Sequence, residues 1–192
     1  MIENIKAIIN PTICINFDDI DKSIKIKENG LQAKLKGIII DKISNNFFAF
    51  KLDSNICPNI SPYINRTTPN INKGCDCILL YKKEERLFLF FIELKSNDYS
   101  KSEVKSQLIA SQCFFVYIKE LLDKFYNNII DNITIINILY TSKNFKTSIR
   151  PKQPYIQDFC GINVIVESAR KGENNFTRFP IGRYINHLDI LE

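Results

Sequence analysis

The segment Leu87-Phe88-Leu89-Phe90-Phe91-Ile92 is apolar at every position. Successive side chains of a strand point to opposite faces, so such a run has no face to offer to water. It demands a central strand covered on both sides, and this limits the fold more than any other stretch of the chain. Cys77-Ile78-Leu79-Leu80-Tyr81 lies just upstream, across the charged turn Lys82-Lys83-Glu84-Glu85. The pattern predicts a β-hairpin with strands at Cys77–Tyr81 and Arg86–Leu94.

The elements that follow say what kind of sheet this is. From Ser102 to Phe125, the residues Val104, Leu108, Phe115, Ile118, Leu122 and Phe125 recur at helical spacings. Ser102 is the predicted N-cap, and Asn127-Asn128 marks the break after the helix. Ile133–Tyr140 is rich in β-branched residues and reads as a strand, and Ile162–Val166 as a shorter one. Strand, strand, helix, strand implies an α/β (α+β) chain with a mixed sheet and at least one crossover helix.

The N-terminal portion reads as β-rich. Ser23–Lys27 and Leu31–Leu35 alternate around the turn Glu28-Asn29-Gly30. Gly37–Ile40 and Phe47–Phe50 flank Asn45-Asn46 as a second predicted hairpin. A helix within Asp18–Lys36 is the alternative. Asp53–Lys73 holds Pro58, Pro62 and Pro69 among many Asn, Ser and Thr, and reads as a connector that also carries Arg66. The 192 residues suit one domain. Its parts are a β-rich portion and connector at 1–72, a core at 73–140 and a basic portion at 141–192.

Composition excludes several classes. A hydrophobic share of 45% with 24% charged residues is that of a soluble globular protein. Met1–Ile15 lacks the basic and apolar regions of a signal peptide, and no apolar run reaches transmembrane length. The expectation is a cytoplasmic protein. The six cysteines are Cys14, Cys57, Cys75, Cys77, Cys113 and Cys160, and the one close pair is C-x-C. With a single histidine, His187, this is not a zinc-knuckle pattern, and the cysteines are expected to be reduced and largely buried. Lys143–Arg183 carries eight Lys and Arg against three acids, which equals the whole net charge of +5. Such a region fits either a phosphate backbone or a solvated lysine-rich surface.

Asp76, Glu93 and Lys95 stand out against this apolar background. Charges in such surroundings cost free energy unless they are paired or bind something. Glu93 and Lys95 are two apart on a strand and share a face. Hairpin pairing would put residue 76 opposite about residue 94 or 95, bringing Asp76 to the same end of the sheet. Two carboxylates make the hard oxygen cluster that Mg²⁺ prefers, and the lysine can hold charge beside it. Gly74 leaves room for a substrate backbone to approach. The plainer reading is a surface ion pair at a strand end with a turn aspartate.

Gly74-Cys75-Asp76 followed by Ile92-Glu93-Leu94-Lys95 resembles the core of the PD-(D/E)xK nuclease superfamily, over roughly residues 73–140. Restriction endonucleases, Holliday-junction resolvases and many phage-defence nucleases belong to it. The resemblance implies a restriction-endonuclease-like mixed central sheet flanked by helices. It implies Asp76 and Glu93 as ligands of Mg²⁺ (or Mn²⁺), the Leu94 carbonyl as a third ligand, and Lys95 as the catalytic lysine. Gln107, on the following helix, takes the place of a further catalytic residue in many members, or is a surface glutamine. Two departures are Cys75 in place of proline and the lack of an evident upstream acid. Glu3, Glu28 and Asp53 are candidates for that acid, though Glu28 falls in a predicted turn.

The implied activity is Mg²⁺-dependent endonucleolytic hydrolysis of a phosphodiester, most simply in DNA, in a setting of restriction, phage defence or mobile elements. Lys73, Lys101, Lys105, Arg170, Lys171 and Arg178 are the candidate nucleic-acid contacts, with Phe176 and Phe179 interleaved. A homodimer is the simplest way for one such chain to cut both strands. The alternatives are an inactive nuclease-like protein that binds nucleic acid or a protein partner, and a cysteine-based metal or redox protein.

Overall fold

The structure is a computed structural model that describes residues 1–28, 33–52, 54, 57, 59–65, 67–96, 98–143, 154–169 and 176–186. The described chain is mixed α/β. Its elements are α1 (Ile2–Ile8), β1 (Phe17–Asp18), β2 (Ser23–Lys27), β3 (Gly37–Asp41), β4 (Phe47–Phe50), β5 (Cys77–Lys83), β6 (Arg86–Lys95), α2 (Lys101–Tyr126), β7 (Ile133–Thr141), β8 (Tyr155–Asp158), β9 (Asn163–Ser168), β10 (Thr177–Pro180) and α3 (Gly182–Ile185).

The all-apolar run is β6, and Leu87 to Leu94 are all buried. It sits inside a six-stranded sheet of order β4-β5-β6-β7-β9-β8. The three strands β4, β5 and β6 form an antiparallel meander. The chain then crosses through α2 and returns as β7, parallel to β6. One face of β6 offers Phe88, Phe90, Ile92 and Leu94 to Ile24, Ile26, Ile38 and Ile40 of a second sheet, ordered β1-β2-β3-β10. The other face offers Leu87, Leu89 and Phe91 to α1 and α2, through Ile2, Ile5, Val104, Leu108, Phe115 and Leu122. The strand thus has a sheet on one side and helices on the other, as its composition requires.

Helix α2 runs for 26 residues with Ser100 at its N-cap, two positions before the expected Ser102. Asn127 ends it in the left-handed conformation at φ 50°, a position asparagine tolerates. Its packed stripe stops at Leu122, and Phe125 is 77% exposed. Periodicity cannot tell where the layer beneath a helix ends.

The N-terminal portion departs from its reading. Described residues 33–36 form no strand; β2 pairs directly with β3, Lys27 against Gly37. Gly37 has φ +147°, and a Cβ there would lie 2.2 Å from the Ile26 carbonyl oxygen, so the pairing needs glycine. No described residue of Asp18–Lys36 is helical, whereas Ile2–Ile8 is. The expected hairpin of β3 with β4 does not form. The two strands belong to different sheets: β4 pairs with β5, and β10 runs parallel to β3. The short strands β8 and β10, unread in the sequence, complete the two edges. No described helix is long and apolar enough to cross a membrane.

Phe90 is 1% exposed in the middle of this packing and meets Tyr184 edge-on, ring centres 6.3 Å apart. Phe90→Ala should cost about 3–5 kcal/mol, read as a lower urea midpoint at unchanged m-value.

Candidate functional site

The hairpin register decides what meets what. Cys77 pairs with Ile92, so one step further Asp76 faces Glu93 rather than residue 94 or 95. Opposed residues of an antiparallel pair share a face. Asp76, Glu93 and Lys95 therefore lie on the side of the sheet covered by α2, in line with Ile78, Leu80, Leu89 and Phe91. Asp76 Oδ2 accepts a 2.7 Å hydrogen bond from the Leu94 N–H. Lys95 Nζ lies 2.8 Å from Glu93 Oε1 and 3.6 Å from Glu103 Oε1.

Helix α2 supplies the roof. Glu103, Gln107 and Ser111 are four residues apart and lie along one stripe. Glu103 meets Lys95 at one end. At the other, the Ser111 hydroxyl accepts a 2.8 Å hydrogen bond from the Cys75 N–H and donates to the Gln107 carbonyl. Gln107 lies between these two contacts and is buried. Its Oε1 and the Oε2 of Glu93 are both buried with no hydrogen-bond partner. Spacing on the helix, read together with Gln107, was the available signal for Glu103 and Ser111; neither carries a motif of its own.

The electrostatics of this cluster are strained. Burial raises the Asp76 carboxyl well above the ordinary range, and the Glu93 and Glu28 charges add to it. Burial also carries Glu93 up to about 7, against the opposing pull of Lys95. For Lys95, burial works to lower the ammonium, but the Glu93 charge and hydrogen bond outweigh it, with help from Glu103 and Asp76, and the pKa is raised. The lysine stays charged, while the two acids hold protons more readily than free carboxylates do.

Of the three upstream acids, Glu28 is the one whose charge acts on both Asp76 and Glu93. Glu28 directly follows β2, and the Lys34 N–H donates to Ser96 Oγ, just past the end of β6, at 3.0 Å. The predicted turn after Glu28 falls largely outside the described residues. Glu3 is exposed and pairs with Lys6 at 2.7 Å. Asp53 lies outside the described residues.

The donor set fits a hard divalent cation: two converging carboxylates, with buried oxygens of Glu93 and Gln107 left unpartnered. Among the described residues, no three His, Cys, Asp or Glu side chains are grouped to hold one. Within the described residues, a carbonyl, the amide or water could supply further donors. The cysteines offer little to a soft metal. Cys75 and Cys77 are buried, but Cys75 donates to the Cys77 carbonyl at 3.3 Å and burial pushes its thiol up to about 12. Cys113 and Cys160 are exposed, contrary to the expectation of general burial, and Cys14 and Cys57 are half-buried.

Gly74 has a different role from the expected one. A Cβ there would lie 2.3 Å from the Leu52 Cβ, so glycine is required by packing of the connector rather than by a substrate. The candidate nucleic-acid contacts are dispersed. Lys73 is exposed beside the Asp76 segment. Lys101 and Lys105, on the first turns of α2, donate to the Asp158 and Cys160 carbonyls of the β8–β9 turn. Arg178 pairs with Asp21 at 2.6 Å, and Phe179 is fully buried. Arg183 is paired with Glu167 at 2.6 Å. Arg170 and Lys171 lie outside the described residues.

Compared with known proteins, the chain matches no family model, no curated protein and no solved structure.

Two outcomes test this geometry. Gly74→Ala should destabilise the protein by about 1–3 kcal/mol through overpacking against Leu52, visible as a lower melting temperature. The second concerns Glu93, which the native state protonates more readily than the unfolded chain does. Its contribution to stability is full below the ordinary value of 4.5 and is lost as pH rises through about 7. In chelator-treated protein that loss amounts to about 3 kcal/mol. Glu93→Gln should flatten the slope between pH 4.5 and 7 and exceed the wild type in stability at pH 8; denaturation midpoints across that range measure both.

Proposed function

We propose that this protein is a metal-dependent nuclease of PD-(D/E)xK type that hydrolyses phosphodiester bonds in DNA. One observation carries the reading: Asp76, Glu93 and Lys95 meet in one buried cluster under α2, with oxygens of Glu93 and Gln107 left without partners. A fold gains nothing in stability from two buried carboxylates beside each other, so their placement asks for a cation. The succession of an antiparallel meander, α2 and parallel β7 also suits a restriction-endonuclease-like core.

Asp76 and Glu93 would hold Mg²⁺ or Mn²⁺, with the Leu94 carbonyl as a further donor. When bound, the ion lowers the pKa of a coordinated water and neutralises phosphate charge. Lys95 keeps its proton and is 20% exposed, enough to reach a phosphate oxygen from the rim of the site. Gln107, fixed on the helix roof, has an amide oxygen without a partner that could orient water or substrate. Lys73, on the exposed approach to Asp76, is a candidate to meet the backbone of the scissile strand.

Plasmid cleavage with Mg²⁺ or Mn²⁺ tests the proposal. Asp76→Ala, Glu93→Ala and Lys95→Ala should each lower the rate by at least about 10²-fold. Cleavage that survives all three substitutions sinks the reading. Binding to DNA that weakens with salt, with no cleavage by the wild type, favours an inactive nuclease-like binder instead.

A further inference from the structure

The ammonium of Lys95 stands between two carboxylates carried by different elements. Glu93 Oε1 on β6 is 2.8 Å away, and Glu103 Oε1 on the first turn of α2 is 3.6 Å away. These are its carboxylate neighbours within 4 Å among the described residues. Glu93 is 2% exposed, and its other oxygen has no partner. Glu103 is 39% exposed and sits where an acid is favoured by the dipole of the helix N-terminus. Lys95 thus holds one oxygen of a residue that, on the nuclease reading, must also serve a divalent cation.

A divalent ion and an ammonium on one buried carboxylate repel each other strongly, because little water screens them. One of them must move, and Lys95 has somewhere to go. We propose that Glu103 is the second seat of the Lys95 ammonium: when a divalent cation binds Glu93, Lys95 gives up its contact with Glu93 and pairs with Glu103. This inference rests on the metal-site reading given above. Glu103 is then a positioning residue. It holds the ammonium at the edge of the site, beside Gln107 one turn further along, and it removes a competitor from the metal's own ligand. In the metal-free state the Lys95–Glu93 pair keeps the buried acid satisfied on one side. The exchange needs no backbone movement, since the second carboxylate is already within an ångström of direct contact.

A double-mutant cycle on Mn²⁺ affinity separates this from simple charge attraction. Mn²⁺ binding would be followed by calorimetry on the wild type, Glu103→Gln, Lys95→Met and the double variant, with circular dichroism to verify folding. Glu103→Ala would serve as the second variant if Glu103→Gln misfolds. Glu103→Gln should weaken binding about three- to tenfold in the wild type, because Lys95 then keeps Glu93 as its carboxylate neighbour within 4 Å among the described residues. Lys95→Met should tighten it. In the Lys95→Met background, Glu103→Gln should change affinity less than about twofold. Equal weakening in both backgrounds would show that Glu103 acts as a ligand or a distant charge, and overturns the exchange. So does an unchanged or tighter affinity in Glu103→Gln. Mn²⁺ binding that is coupled to none of these residues, or absent from the wild type, removes the metal-site reading itself.

Discussion

The burial of β6 on both faces is the constraint on which the rest of the structure depends. A strand with eight consecutive buried residues needs one layer above and another below, and it receives a sheet on one side and helices on the other. Its neighbours are chosen by the same requirement. The hairpin partner β5 is buried from Cys77 to Tyr81, and the parallel partner β7 is reached through a 26-residue helix long enough to span the sheet. Apolar area removed from water at about 25 cal/mol per Å² supplies the driving force, and register follows from it, because a one-residue slip would turn every buried side chain outward.

That register also creates a place where burial is costly. Extending the β5–β6 ladder past Cys77 and Ile92 brings Asp76 face to face with Glu93 at the sheet's end, still under the roof of α2. The protein meets part of the cost with local donors: Leu94 N–H for Asp76 and Lys95 for Glu93. What remains appears as raised carboxyl pKa values and two unpartnered oxygens. Ser111 adds an anchor whose purpose is geometric. By fixing the Cys75 N–H to the helix, it sets the height of the roof over Asp76. Stability alone would favour apolar residues at 76 and 93, so the cluster reads as a site maintained against the interest of the core.

The core elements were legible because their patterns are long and one-sided. β2, β5, β6, α2 and β7 follow from alternation, apolar runs, helical spacing and β-branched composition, to within a few residues at their ends. Legibility failed where the pattern is short or the partner distant. The strands β8 and β10 have four residues each and edge positions, too little pattern to separate from loop. β3 and β4 looked like a hairpin because Asn45-Asn46 is good turn chemistry, yet the two strands pair in different sheets. The site shows the same division. Glu93 and Lys95 share a face by strand geometry alone, and Asp76 joins them through the hairpin. Glu103 and Ser111 share a helical stripe with Gln107, but that this stripe covers the cluster, and that Glu28 acts on it, is set by packing between layers.

By itself, the sequence determined that β6 is central, that a long amphipathic helix follows it, and that two acids and a lysine stand at the end of an apolar hairpin. These are consequences of side-chain alternation and apolar periodicity, which act over a few residues. Only the tertiary structure decided which helix face covers those charges, that the Glu28 charge acts on them, and that Lys95 lies between Glu93 and Glu103. The reason is range. Strand and helix geometry place neighbours along the chain, whereas the stacking of two sheets and a helix is set by the summed burial of many residues far apart in sequence. The resulting contacts across layers exist only once the whole core has closed.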